Sequence, residues 1–217
     1  MVSTVESIAI AVWGGVVAYY WELFGYYILF RWYKTKKLFN LVNGLFFLSL
    51  AIGRVFYVIY DFYINDIYWW KLGTFFQWIG LAILSFTITM LLVKKKAIVY
   101  CMMIIPIAIG ASILVVPDAY LNFLRYIVLT IFAPIYALLI PGLYLYLASK
   151  MPGKARTGSL LQGIGFLILY AGRVIHAQIS ASIILPILGE SVVLLLPPGL
   201  VLIALMFIVL GIQIMPE

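Results

Sequence analysis

The sequence predicts an all-α, polytopic membrane protein of seven transmembrane helices, and three observations carry that reading. The first is composition: 66% of the 217 residues are hydrophobic and 10% charged, against about 45 to 50% and about 25% in a soluble chain. The second is run length. Apolar runs recur at the roughly 20 residues a helix needs to cross a hydrocarbon core about 30 Å thick, and the alternation of a transmembrane barrel strand is absent. The third is an internal copy: Gly44 to Tyr57, GLFFLSLAIGRVFY, returns 119 residues later as GIGFLILYAGRVIH at Gly163 to His176, with seven of fourteen positions identical.

Charged and proline-rich breaks cut the chain into spans at about 6–30, 38–60, 72–93, 97–116, 119–147, 157–182 and 191–213. The first run is long and no basic cluster precedes it, so it reads as a retained helix and not a cleaved signal. Three breaks, Arg31 to Lys37, Lys94 to Lys96 and Lys150 to Arg156, hold ten of the fourteen basic residues and fall on one side if the spans alternate. The other side carries Glu6, Asp61, Asp66, Asp118 and Glu190, with Lys71 and Arg125 as its basic residues. The positive-inside rule then places the N-terminus outside and the C-terminus in the cytoplasm of a multi-pass cell-membrane protein. The net charge of +7 is a topology signal: the short basic loops suit anionic headgroups on the cytoplasmic side and not nucleic acid. Trp32, Tyr33, Tyr68, Trp69 and Trp70 sit where interfacial aromatic anchors belong.

The 119-residue offset extends beyond the window that reveals it. It places Arg31 on Lys150, Lys37 on Arg156, Asn43 on Gln162, Tyr27 on Tyr146 and Gly80 on Gly199. The expected organisation is one membrane domain built as a parallel 3+1+3 repeat: residues 1–93, a connector helix at 94–118, and residues 119–217. In transporters such repeats bracket a central site.

Span two places Asn43, Phe47, Leu50, Arg54, Tyr57 and Asp61 at helical steps of three and four, and span six repeats the stripe as Gln162, Phe166, Leu169, Arg173, His176 and Ser180. An arginine inside an apolar span costs about 2.5 to 3.5 kcal/mol on insertion scales unless paired or wetted, so both stripes are expected to face the protein interior. Counting rise per residue puts both arginines in the outer half. The functional reading is an outer-half polar pocket lined by Arg54, Tyr57, Gln77, Arg173, His176 and Glu190. Such a pocket suits an anion or polar ligand, because a guanidinium stays charged and grips oxygens in pairs. The alternative is that the arginines anchor helices or lipids. Glu22 and Asn43 form a candidate ion or proton relay in the cytoplasmic half. Prolines Pro134, Pro141, Pro197 and Pro198 are expected to kink the second half, the first having none before Pro106.

Catalytic signatures are missing: the chain has no HExxH or GxSxG, and His176 is its one histidine. The expectation is a non-enzyme without metal or cofactor. A lone histidine excludes bis-histidine haem within one chain, and Cys101 alone excludes an intrachain disulfide. In plan, the seven-span, N-outside, 3+1+3 arrangement resembles the class that holds microbial opsins and the small sugar and PQ-loop transporters. A retinal Schiff base would need a lysine in the last span, and Val192 to Gln213 has none. The stretch Tyr68-Trp-Trp-Lys-Leu-Gly-Thr-Phe-Phe-Gln-Trp-Ile-Gly-Leu81 resembles the seven-helix sensor regions that precede histidine kinases. Two roles remain open: ligand binding for transport or sensing, and an accessory subunit of a larger respiratory or secretion complex, with membrane-protein partners or a homo-oligomer.

Overall fold

The computed structural model describes residues 4–92, 95–176, 185–187 and 189–215, and among these no strand occurs. The long helices are α1 (Thr4–Thr35), α2 (Leu38–Phe62), α3 (Ile67–Leu92), α4 (Lys96–Val115), α5 (Asp118–Lys150), α6 (Gly153–His176) and α7 (Glu190–Ile214). Among the described residues six helices are long and apolar enough to cross a membrane, the mark of a multi-pass membrane protein. Breaks between helices have local causes. Lys36 closes α1 in the left-handed conformation at φ 52°, its Nζ 4.6 Å from the ring centroids of both Trp32 and Tyr33. Asp66 opens α3, its carboxylate accepting the backbone N–H of Tyr68 at 2.9 Å in the manner of a helix cap.

Two helices carry widened π-helical stretches, Tyr26–Trp32 in α1 and Val128–Phe132 in α5. In α5 the cause is Pro134, which has no N–H to give the carbonyl one turn back and crowds it. No proline explains α1, so the first half is irregular where the proline count alone predicts a straight helix. There the wide turn brings residues five apart into line, and Arg31 Nε donates to the Tyr26 hydroxyl at 2.8 Å.

The chain divides into two compact units, one of Trp13–Ile131 and one gathering the residues before Trp13 with those from Phe132 on. In the first unit, α1 buries Trp13, Val16, Tyr20, Leu23 and Tyr27, a seam spaced four and three as in a heptad. The Tyr20 and Tyr27 rings lie 6.3 and 5.8 Å from Phe47 of α2, the latter stacked at 16°. Next, α2 meets α3 glycine to glycine: a Cβ at Gly53 would sit 2.9 Å from the Gly73 carbonyl oxygen, and one at Gly73 would sit 3.0 Å from that of Gly53. In lipid no hydrophobic force holds helices together, and such close backbone approach supplies the dispersion contacts that do. Gly110 of α4 lies against Phe75 and Trp78 of α3 in the same way.

In the second unit, α6 and α7 are joined along a ladder of glycines. Gly158, Gly165 and Gly172, seven apart, face the carbonyls of Gly211, Ala204 and Pro197, also seven apart. This is antiparallel packing with a heptad repeat. On its other side α6 stacks Phe166 on Tyr144 of α5 at 5.3 Å, and Gly163 admits Leu145.

Both polar stripes are buried where the sequence aligns them: Asn43, Phe47 and Leu50 on α2, and Gln162, Phe166 and Leu169 on α6. The neighbours of these stripes differ. Gly53 meets Gly73, Phe76 and Gln77, whereas its aligned partner Gly172 meets Pro197, Leu200 and Val201, each five residues beyond the position 119 along from its counterpart. Gly80 packs on Ser49, and nothing approaches Gly199.

Candidate functional site

The stripe of α2 ends in a cluster of cations and aromatic rings at one end of the first unit. Arg54 is 3% exposed. Its guanidinium carbon lies 3.5 Å from the centroid of the Trp13 ring and 5.4 Å from that of Tyr57. Trp13 is available because it belongs to the same seam of α1 that delivers Tyr20 and Tyr27 to Phe47. A desolvated cation over a tryptophan face gains about 2 kcal/mol or more, which offsets much of the cost of placing Arg54 within a span.

Tyr57 is fixed by α3. Its ring lies over Gly73, where a Cβ would come within 3.1 Å of it. Its hydroxyl is 2.7 Å from Thr74 Oγ1, and Thr74 Oγ1 in turn donates to the Trp70 carbonyl at 2.9 Å. With the threonine proton committed to Trp70, Tyr57 is the donor in the first bond. A phenol that donates can also accept from a cation through its lone pairs. Gln77, one turn deeper, is half-buried with its Cγ against Gly53.

A second arginine completes this cluster. Arg125 of α5 is half-buried, its guanidinium carbon 3.7 Å from the centroid of the Trp70 ring, with Tyr60 and Tyr57 within electrostatic reach. Next to Trp70, the buried Lys71 donates to Asp118 Oδ1 at 2.6 Å and to the Val116 carbonyl at 2.8 Å, tying the start of α3 to the turn between α4 and α5. Asp61 and Asp66 at this end of the unit are exposed.

The sequence-predicted residues therefore separate. Arg54, Tyr57 and Gln77 come together in the first unit. Arg173, His176 and Glu190 belong to the second, where Arg173 is half-buried with Tyr170 within electrostatic reach. Ser180 and the side chains of His176 and Glu190 lie outside the described residues. Glu22 is exposed, whereas Asn43 is buried and donates to the Phe39 carbonyl at 2.8 Å. Among the described residues no group of His, Cys, Asp and Glu is arranged to hold a metal.

Sequence reasoning missed Trp13, Trp70, Thr74 and Arg125. Two signals for them exist: the heptad of aromatic residues Trp13, Tyr20 and Tyr27, and the two-turn spacing of Asp118 and Arg125 on one helix face. Comparisons with protein-family models, curated proteins and solved structures return no match.

Proposed function

We propose that this chain is a non-enzymatic seven-helix membrane protein that binds a small organic anion in the outer half of its first unit, for transport or sensing. The observation that carries the reading is that Arg54 and Arg125 each lie over a tryptophan ring, Arg54 standing 5.4 Å from the Tyr57 ring as well. Cations held this way present in-plane donors beside apolar walls, which suits a carboxylate attached to an aromatic or aliphatic body. Arg173, with His176 and Glu190, holds the aligned place in the second repeat. In this reading α3 also crosses the membrane, the N-terminus is outside, and the basic edge from Arg31 to Lys37 meets anionic headgroups.

Titration of detergent-purified protein with benzoate, followed by tryptophan fluorescence, tests the site. Arg54→Gln and Arg125→Gln are each expected to weaken binding at least tenfold, the loss of one charge-assisted contact. Unchanged binding in both variants refutes the site.

A second reading, an accessory subunit in which arginines hold helices, is favoured by the 3.5 Å stack of Arg54 on Trp13, which joins α2 to α1. It expects the same variants to lose thermal stability alone, and other chains to co-purify in stoichiometric amounts from the native membrane.

A further inference from the structure

The clasp between Lys71 and Asp118 has an uneven burial: the lysine side chain is 10% exposed and the aspartate side chain 65%. A structural ion pair at a helix junction has no need of a buried ammonium. A lysine that reaches the Val116 carbonyl at 2.8 Å is already tethered, and the carboxylate adds a charge that solvent could replace. The position is also informative. Lys71 directly follows Trp70, whose ring carries Arg125, and stands about one helical turn above Thr74, the partner of Tyr57. Asp118 lies two turns above Arg125 on the same face of α5.

We infer that Lys71 is a third cation of the anion site and that Asp118 occupies it as a tethered stand-in for the ligand's carboxylate, which an entering organic anion displaces. This rests on the site reading above. The chemistry is an exchange of one carboxylate for another on the same ammonium, with no bond made or broken and no change in net charge at Lys71. Asp118, being mostly exposed, is rehydrated as it leaves, and the ligand's carboxylate takes over its contact with the buried Lys71. The buried lysine then keeps a carboxylate throughout, and the deeper arginines are reached only by a ligand that can supply one.

The test is benzoate titration of the full chain in detergent, comparing wild type with Asp118→Asn, Lys71→Gln, Arg54→Gln and Arg125→Gln, with thermal unfolding measured alongside. Removing the stand-in is expected to tighten benzoate binding about threefold or more, while Lys71→Gln weakens it. Wild type that binds too weakly to measure, beside Asp118→Asn that binds, supports the inference equally. If Asp118→Asn binds benzoate no better than wild type while both arginine variants bind it worse, the site stands and the stand-in is refuted. If neither arginine variant changes binding, the site itself fails. Should Asp118→Asn not yield folded protein, Asp118→Ser, which keeps a side-chain oxygen at the start of α5, takes its place with the same expected outcomes.

Discussion

The guanidinium carbon of Arg54 lies 3.5 Å from the centroid of the Trp13 ring, so a charge in the middle of one apolar helix rests on an aromatic face of another. Lysine can place a charge there but not a plane. Arg54→Lys is therefore expected to destabilise the protein, and a double-mutant cycle of Arg54→Gln with Trp13→Leu is expected to give a coupling of about 1 to 2 kcal/mol. Thermal unfolding of the four proteins in one detergent measures it, and additive losses would show that the stack carries no energy of its own.

The hydroxyl relay from Tyr57 through Thr74 to the Trp70 carbonyl has a direction. Tyr57→Phe removes a donor and leaves Thr74 with its own bond intact, so the expected loss is about 1 kcal/mol. Thr74→Val removes both bonds and leaves the phenol to find another acceptor, and the expected loss is larger. Unfolding midpoints that order the two variants the other way would reverse the assigned direction.

Gly165→Ala and Gly142→Ala are expected to act in opposite senses. A Cβ at Gly165 would sit 2.8 Å from the Ala204 carbonyl oxygen, a backbone atom that moves only if α7 moves, whereas nothing lies within 4 Å of Gly142. The first substitution is expected to cost about 1 to 3 kcal/mol, and the second to be neutral or to stabilise by up to about 1 kcal/mol through helix propensity. Equal effects in thermal denaturation would mean that the ladder between α6 and α7 does not bear on stability.

Helix positions were readable in the sequence because crossing a membrane demands length and apolarity, and both are written in single residues. The burial of Arg54 was readable too, since Asn43, Phe47 and Leu50 place it on the face that must avoid lipid. The partners of Arg54 were not. Trp13 lies in another span, and which face of α1 it shares depends on the phase of that helix. Register was the other hidden quantity: the sequence aligns Gly80 with Gly199, yet the first packs on Ser49 and the second faces open space. A five-residue displacement between paired helices leaves no trace in residue spacing, because each helix keeps its own pattern wherever it meets its neighbour. Arg125 was visible as a charge, but its role depends on Trp70 and Tyr57, which only the packing of α5 beside α3 supplies.

The wide turn at Tyr26–Trp32 makes α1 something like a vernier. One residue of surplus is stored there, and removing it would restore ordinary pitch. Trp13, Tyr20 and Tyr27 all precede Leu29 and keep their heptad spacing, so the seam that carries Arg54 and meets Phe47 does not depend on the surplus. Deleting Leu29 is expected to leave both contacts in place, which tryptophan fluorescence and arginine-dependent stability read independently. The span would remain long enough to cross a membrane, and the seating of the buried charge would survive with it.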